Sequence, residues 1–134
     1  MDTNLVIIGV IRSDITDLTT APKMENEPGA VRARIELDPA YKVGLDAMEI
    51  GAQLELFTWL HKGDRSILKV HPRGDLTQPQ RGVFSTRSPS RPNPIGLHRV
   101  TLVAIEEPLT LIVEPLEVLD GTPVIDIKTK PKGY

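Results

Sequence analysis

The residues best equipped for chemistry cluster in one string, residues 81–97, which reads RGVFSTRSPSRPNPIGL. Pro89, Pro92 and Pro94 fix backbone angles and remove amide donors, so Ser88, Ser90, Arg91 and Asn93 fall on a stiff, extended segment. A rigid backbone lowers the entropic cost of presenting Arg87 and Arg91 to an anion. Their planar guanidinium forks match a carboxylate or a phosphate with paired hydrogen bonds. The same string also suits a plainer role, a rigid connector whose arginines pair with nearby carboxylates. A second candidate is Asp120-Gly121-Thr122-Pro123, set between two apolar runs. Asp-Gly is a hairpin signal and Pro123 can open a strand, but the loop also offers a carboxylate, a hydroxyl and backbone amides. His61, His71 and His98 have no partner at a metal-ligand interval, so no metal site is expected. No Gly-x-Ser-x-Gly elbow is present for a serine nucleophile.

Charge placement sharpens the first candidate. The 134 residues carry a formal net charge of only −2. Yet residues 62–99 hold eight Lys and Arg (Lys62, Arg65, Lys69, Arg73, Arg81, Arg87, Arg91, Arg99) against Asp64 and Asp75, while residues 101–127 hold six acids and no Lys or Arg. A local basic field can steer an anionic ligand although the whole chain is slightly acidic. The absence of Cys excludes a disulfide scaffold, a thiolate metal site and a Cys nucleophile. Tyr41, Phe57, Trp59, Phe84 and Tyr134 are the only aromatics, too few for an oligonucleotide platform built mainly on stacking.

These groups need a scaffold, and the apolar pattern indicates mostly strands. The length suits one domain spanning residues 1–134. Residues 5–11 (LVIIGVI) read as a buried strand, residues 31–37 alternate apolar and charged with a period of two, and residues 53–61 alternate again. Further strands are expected over residues 66–70, 82–86, 95–105, 109–119 and 123–127. Asp38-Pro39 is a plausible N-cap and first helical residue for a short helix near residues 39–48. Residues 12–30 form a long loop of the kind that often serves function. Together these predict a mainly β fold, a small closed or nearly closed barrel of about six or seven strands with one short helix. No apolar run reaches the ~20 residues of a membrane span. The opening Met1-Asp2-Thr3-Asn4 lacks the basic region of a secretory signal. A cytoplasmic location and no membrane partner are therefore expected.

Residues 8–13 (IGVIRS), residues 81–97 and residues 119–128 (LDGTPVIDIK) appear in that order. In combination they resemble the TsaA-like (TrmO-type) family, over residues 5–128. The resemblance implies a small β-barrel that binds S-adenosyl-L-methionine, usually as a homodimer. It implies methylation of N6 of threonylcarbamoyl-adenosine beside the anticodon of certain tRNAs. It also implies that cofactor contacts fall on Pro22, Lys23 and Met24, on His61 and Lys62, on Arg87, on Leu97, and on Asp120, Gly121, Thr122 and Pro123. Arg87 would then pair with the methionine carboxylate, and Leu97 and Met24 would pack on the purine. Asp120 and Asp126 are the candidate bases by position. Arg91, Asn93 and Lys128 are candidates for contact with the acceptor.

The sequence departs from the family pattern at named places. Arg-Gln becomes Lys23-Met24, the Gln after His becomes Lys62, and the Pro-Tyr that commonly follows Asp-Ile-Lys becomes Thr129-Lys130. Three readings follow: a tRNA adenine N6-methyltransferase, a methyltransferase acting on a small molecule or another acceptor, and a cofactor-binding module without catalysis.

Overall fold

The computed structural model describes residues 1–16 and 31–131. Six strands close into an antiparallel barrel in the order β1-β2-β7-β6-β3-β8. They are β1 (Gly9–Arg12), β2 (Val31–Leu37), β3 (Gln53–Trp59), β6 (Ile95–Glu106), β7 (Thr110–Leu116) and β8 (Pro123–Thr129). A separate two-stranded ladder pairs β4 (Lys69–Val70) with β5 (Arg81–Gly82). The mainly β expectation holds, with the barrel at six strands.

Period-two alternation explains which side of each strand faces inward. In β2, Ala33, Ile35 and Leu37 are buried while Arg32, Arg34 and Glu36 are exposed. In β3, Leu54, Leu56 and Thr58 point into the barrel, and in β6 the buried positions are Gly96, His98, Val100 and Leu102. Leu111, Val113, Leu116 and Val124 complete a core that is almost fully excluded from water. Each such side chain contributes roughly 1.5–3 kcal/mol by burial. Closure removes the open edges that strands this apolar would otherwise expose. It runs through Gly9, paired with Leu37 on one side and Val124 on the other. A Cβ at Gly9 would lie 2.7 Å from the Glu36 carbonyl oxygen, so the close approach of the two strands needs glycine.

Three local expectations change. The strand begins at Gly9, with Ile8 hydrogen-bonded to Val124 and Asp38 at its edge, and Leu5, Val6 and Ile7 are exposed outside it. Residues 82–86 were expected to be extended, but the strand stops at Gly82 and Val83–Ser85 turn as a 3-10 helix. The ladder partner strand is correspondingly short, Lys69–Val70 in place of residues 66–70. The helix expected after Asp38 is a 3-10 helix, Pro39–Leu45, with Asp38 accepting from the Ala40 amide at 2.9 Å. Asp38→Ala should cost about 1 kcal/mol, typical of a lost N-cap. Urea denaturation would read this as a lower midpoint at unchanged slope. No helix among the described residues is long and apolar enough to cross a membrane.

Candidate functional site

A cleft of about 480 Å³ opens at one end of the barrel. Four segments build it. Residues 60–63 continue from the end of β3, residues 86–91 form the proline-stiffened loop, residues 95–98 open β6, and residues 117–119 with Thr122 join β7 to β8. Antiparallel pairing brings the end of β3 beside the starts of β6 and β8, with Trp59 opposite Ile95 and Thr58 opposite Val124. Segments far apart in sequence thus meet at one rim.

The stiff loop is held by its own arginines and by the chain opposite. Arg91 donates from Nη1 to the Thr86 and Ser88 carbonyls and from Nη2 to the Val83 and Thr86 carbonyls, at 2.5–3.3 Å. Its fork therefore ties three backbone oxygens together, and the predicted presentation of Arg91 to an acceptor is not what the geometry provides. Its partners are carbonyls, not the carboxylates of the plainer reading. Arg65 crosses from the facing segment, with Nε on the Pro92 carbonyl at 2.7 Å and Nη2 on Asn93 Oδ1 at 3.2 Å, and its guanidinium lies over Trp59. Asn93 is thereby occupied with the scaffold. Gly63 is required here because a Cβ would fall on the Pro89 carbonyl oxygen. At the edge, Ser66 donates its hydroxyl and its amide to Asp64, which holds that carboxyl below its usual range.

Arg87 is placed differently. One terminal nitrogen donates to the Leu97 carbonyl at 2.9 Å, which fixes the side chain at the mouth of the cleft. Among the described residues its other donors have no partner, so it can receive an anion. His61, Lys62 and Leu97 also line the cleft, as does Thr122 from the Asp-Gly-Thr-Pro loop.

The remaining members of that loop do not. The Asp120, Gly121 and Thr122 amides donate to the Ile15, Ile11 and Leu119 carbonyls, and the Thr122 hydroxyl also donates to the Leu119 carbonyl. Of the amides expected to be free for a ligand, those of Asp120 and Gly121 are tied to β1 and the residues just after it, and that of Thr122 closes the turn, where Gly121 takes a positive φ of 87°. Asp120 accepts from the Ser13 amide at 3.1 Å and lies 4.0 Å from Arg12, in a second hollow where opposite charges pair. Glu36 and Asp120 together raise the Arg12 pKa above its ordinary value, chiefly through the Glu36 hydrogen bond. Asp126 is exposed and caps its neighbour's amide, and Lys128 lies over Phe57 on the outer face. Neither lines the cleft, so the positions suggested for a base or an acceptor contact are not gathered there. Pro22, Lys23 and Met24 lie outside the described residues.

Sequence reasoning missed a polar group at the cleft floor. Thr58 Oγ1 is 2.9 Å from His98 Nε2, and His98 Nδ1 is 3.4 Å from Glu117 Oε1, with both charged-type side chains 7% exposed. The β6–β7 register pairs Thr101 with Glu114, and carrying it three residues further sets Glu117 opposite His98. The available signal was parity, because Thr58 and His98 occupy inward positions among Leu54, Leu56, Val100 and Leu102.

Comparison with known proteins agrees with this architecture. Residues 10–131 match the family model described as the tRNA-methyltransferase O N-terminal domain. A probable S-adenosyl-L-methionine-binding protein of Methanothermobacter thermautotrophicus is 39% identical over 96% of this chain and 90% of its own length. An S-adenosyl-L-methionine-binding protein of Archaeoglobus fulgidus is 41% identical over 90% of this chain and 84% of its own. A crystal structure of TrmO superposes with a TM-score of 0.76 at 32% identity, covering 98% of this chain and 58% of the crystallised one. The chain thus spans a little over half of that solved protein. With a family match over nearly all of its length, the chain belongs to the tRNA-methyltransferase O N-terminal domain family.

Proposed function

We propose that the barrel-end cleft binds S-adenosyl-L-methionine and that the chain is a methyltransferase whose acceptor is N6 of threonylcarbamoyl-adenosine in tRNA. The observation that carries this reading is the convergence of His61, Lys62, Arg87, Leu97 and Thr122, from four separate segments, on one cleft. Its volume of about 480 Å³ suits a nucleoside-sized ligand, since such pockets run to roughly 300–1,000 Å³. When bound, the cofactor supplies a methyl group made electrophilic by a positively charged sulfur. The chain's own residues bind, orient and exclude water. Arg87 takes the carboxylate, Leu97 with Ile95 and Leu119 packs on the purine, and the rim held by Arg65 and Arg91 keeps these groups in place. Such positioning is worth about 7–11 kcal/mol in favourable cases. Exposed Lys62, Arg65, Lys69, Arg81 and Arg99 supply a basic field for a phosphate backbone. The reading includes a cytoplasmic homodimer, which sedimentation of the purified chain tests.

Calorimetry with the cofactor is the direct test. Wild type should bind, and Arg87→Ala should weaken binding about tenfold to hundredfold, or roughly 1.4–2.8 kcal/mol, with little change in melting temperature. Undiminished affinity would remove Arg87 from the site. Mass analysis of tRNA nucleosides after incubation then decides the acceptor. The names of the Methanothermobacter and Archaeoglobus relatives describe binding without naming a reaction, which favours as a second reading a cofactor-binding protein with another acceptor or none. Tight cofactor binding with unmodified tRNA would select it.

A further inference from the structure

Among the described residues, two buried side-chain atoms lack a hydrogen-bond partner, His98 Nδ1 and Glu117 Oε2. Both belong to side chains that line the cleft. Native proteins rarely leave such groups unpaired, because a buried polar atom without a partner loses its hydration with nothing in return. An orphaned carboxylate oxygen at a cleft floor points to a ligand that supplies the missing donor.

The contacts around His98 leave Glu117 Oε2 facing the cleft without a donor. Among the described residues the buried Thr58 hydroxyl has His98 Nε2 as its one partner, so its proton is directed to that nitrogen. Nε2 is then the acceptor, and the ring proton is assigned to Nδ1, on the side of Glu117. The 3.4 Å separation of His98 Nδ1 from Glu117 Oε1 is a polar contact too loose for a good hydrogen bond. The cationic groups facing the same cleft are Lys62 at its rim, Arg87 tied to the Leu97 carbonyl, and Arg91 spent on three carbonyls. None makes a hydrogen bond or ion pair to Glu117. A buried carboxyl oxygen left without a donor is costly, and a cationic ligand group at Oε2 would remove that cost.

We propose that Glu117, oriented by the Thr58–His98 pair, is the receptor for a positively charged group of the ligand. This rests on the cofactor reading above, in which the cation is the α-ammonium or the sulfonium. Arg87 and Glu117 then offer opposite charges within one cleft, as an amino-acid zwitterion requires.

The test is titration calorimetry of wild type and Glu117→Gln, which keeps the shape and removes the charge. Three ligands are used: S-adenosylmethionine, S-adenosylhomocysteine, which lacks the sulfonium, and 5′-methylthioadenosine, which carries neither cation. Glu117→Gln should bind S-adenosylmethionine at least about tenfold more weakly and 5′-methylthioadenosine as wild type does. An equal loss for S-adenosylhomocysteine assigns the α-ammonium, and an unchanged affinity for it assigns the sulfonium. Wild-type affinity for all three, or an equal loss for all three, overturns the proposal. Failure of wild type to bind S-adenosylmethionine overturns the cofactor reading itself, and the proposal with it. The melting temperature of unliganded Glu117→Gln should stay level or rise, because an unpaired buried charge has gone. A fall beyond about 5 °C would give Glu117 a folding role and also reject the proposal.

Discussion

Gly96→Ala should lower the stability of the barrel by about 1–3 kcal/mol and empty the cleft of its function. The position lies on the inward face of β6, beside the Thr58–His98 pair. A Cβ there would fall on Thr58 Oγ1, 2.8 Å from His98 Nε2 and 3.1 Å from Leu60 Cδ2. Thr58 is sealed from water and has no open space in which to retreat, so relief of the clash must come from His98 shifting toward the cleft and away from Thr58. If the pair separates, a buried hydroxyl and a ring nitrogen lose their partner, which adds about 1–3 kcal/mol for each. Denaturant unfolding should show a lower midpoint at unchanged slope. The collision can be tested by removing its target. Thr58→Ala deletes the clashing oxygen, so the double variant should be less destabilised than the two single effects predict. Strict additivity would mean that the methyl group meets something other than Thr58. Cofactor affinity should fall with Gly96→Ala and stay low in the double variant, because His98 still lacks the hydroxyl that orients it toward Glu117.

The particular residues show why some of this was legible in the sequence and some was not. Strand faces were legible because burial acts on side chains one by one. Val31–Leu37 and Gln53–Trp59 alternate in sequence and in exposure alike. The Asp38 cap was legible for the same local reason. The apolar run of residues 5–7 misled because propensity says nothing about whether a partner strand is within reach, and the pairing starts at Ile8 and Gly9. At the site, residue types located the loop but not the partners of its polar groups. Spacing cannot distinguish an arginine that meets a ligand from one that meets three carbonyls, and Arg87 and Arg91 divide in that way. Nor can it reveal that Asp-Gly-Thr-Pro spends its amides on Ile15, Ile11 and Leu119. His98 and Glu117 are 19 positions apart, and their meeting depends on the register of the β6–β7 hairpin, which residue types alone do not fix.

Arg91→Ala is expected to be more damaging than Arg87→Ala for folding, although both arginines belong to one basic string. The Arg91 guanidinium makes four hydrogen bonds to the Val83, Thr86 and Ser88 carbonyls. Hydrogen bonds to a charged donor are worth about 1.5–3 kcal/mol each, but these share one side chain and are part-buried, so a total near 3 kcal/mol is the appropriate scale. Lys cannot replace it, since one ammonium on a flexible stem does not span three fixed oxygens in a plane, and Arg91→Lys should recover little of the loss. The same substitution should also weaken cofactor binding, because Thr86, Arg87, Pro89 and Ser90 line the cleft and sit on the loop that Arg91 holds. That loss is indirect, and a stability measurement separates it from the Arg87 effect. Thermal melts of Arg87→Ala should match wild type without cofactor and gain less when it is added. Those of Arg91→Ala should fall without cofactor and recover in part at saturating cofactor, since a ligand that binds only the folded state stabilises it by mass action. A melt of unliganded Arg91→Ala indistinguishable from wild type would return Arg91 to the role its sequence first suggested, a cation held out toward an acceptor.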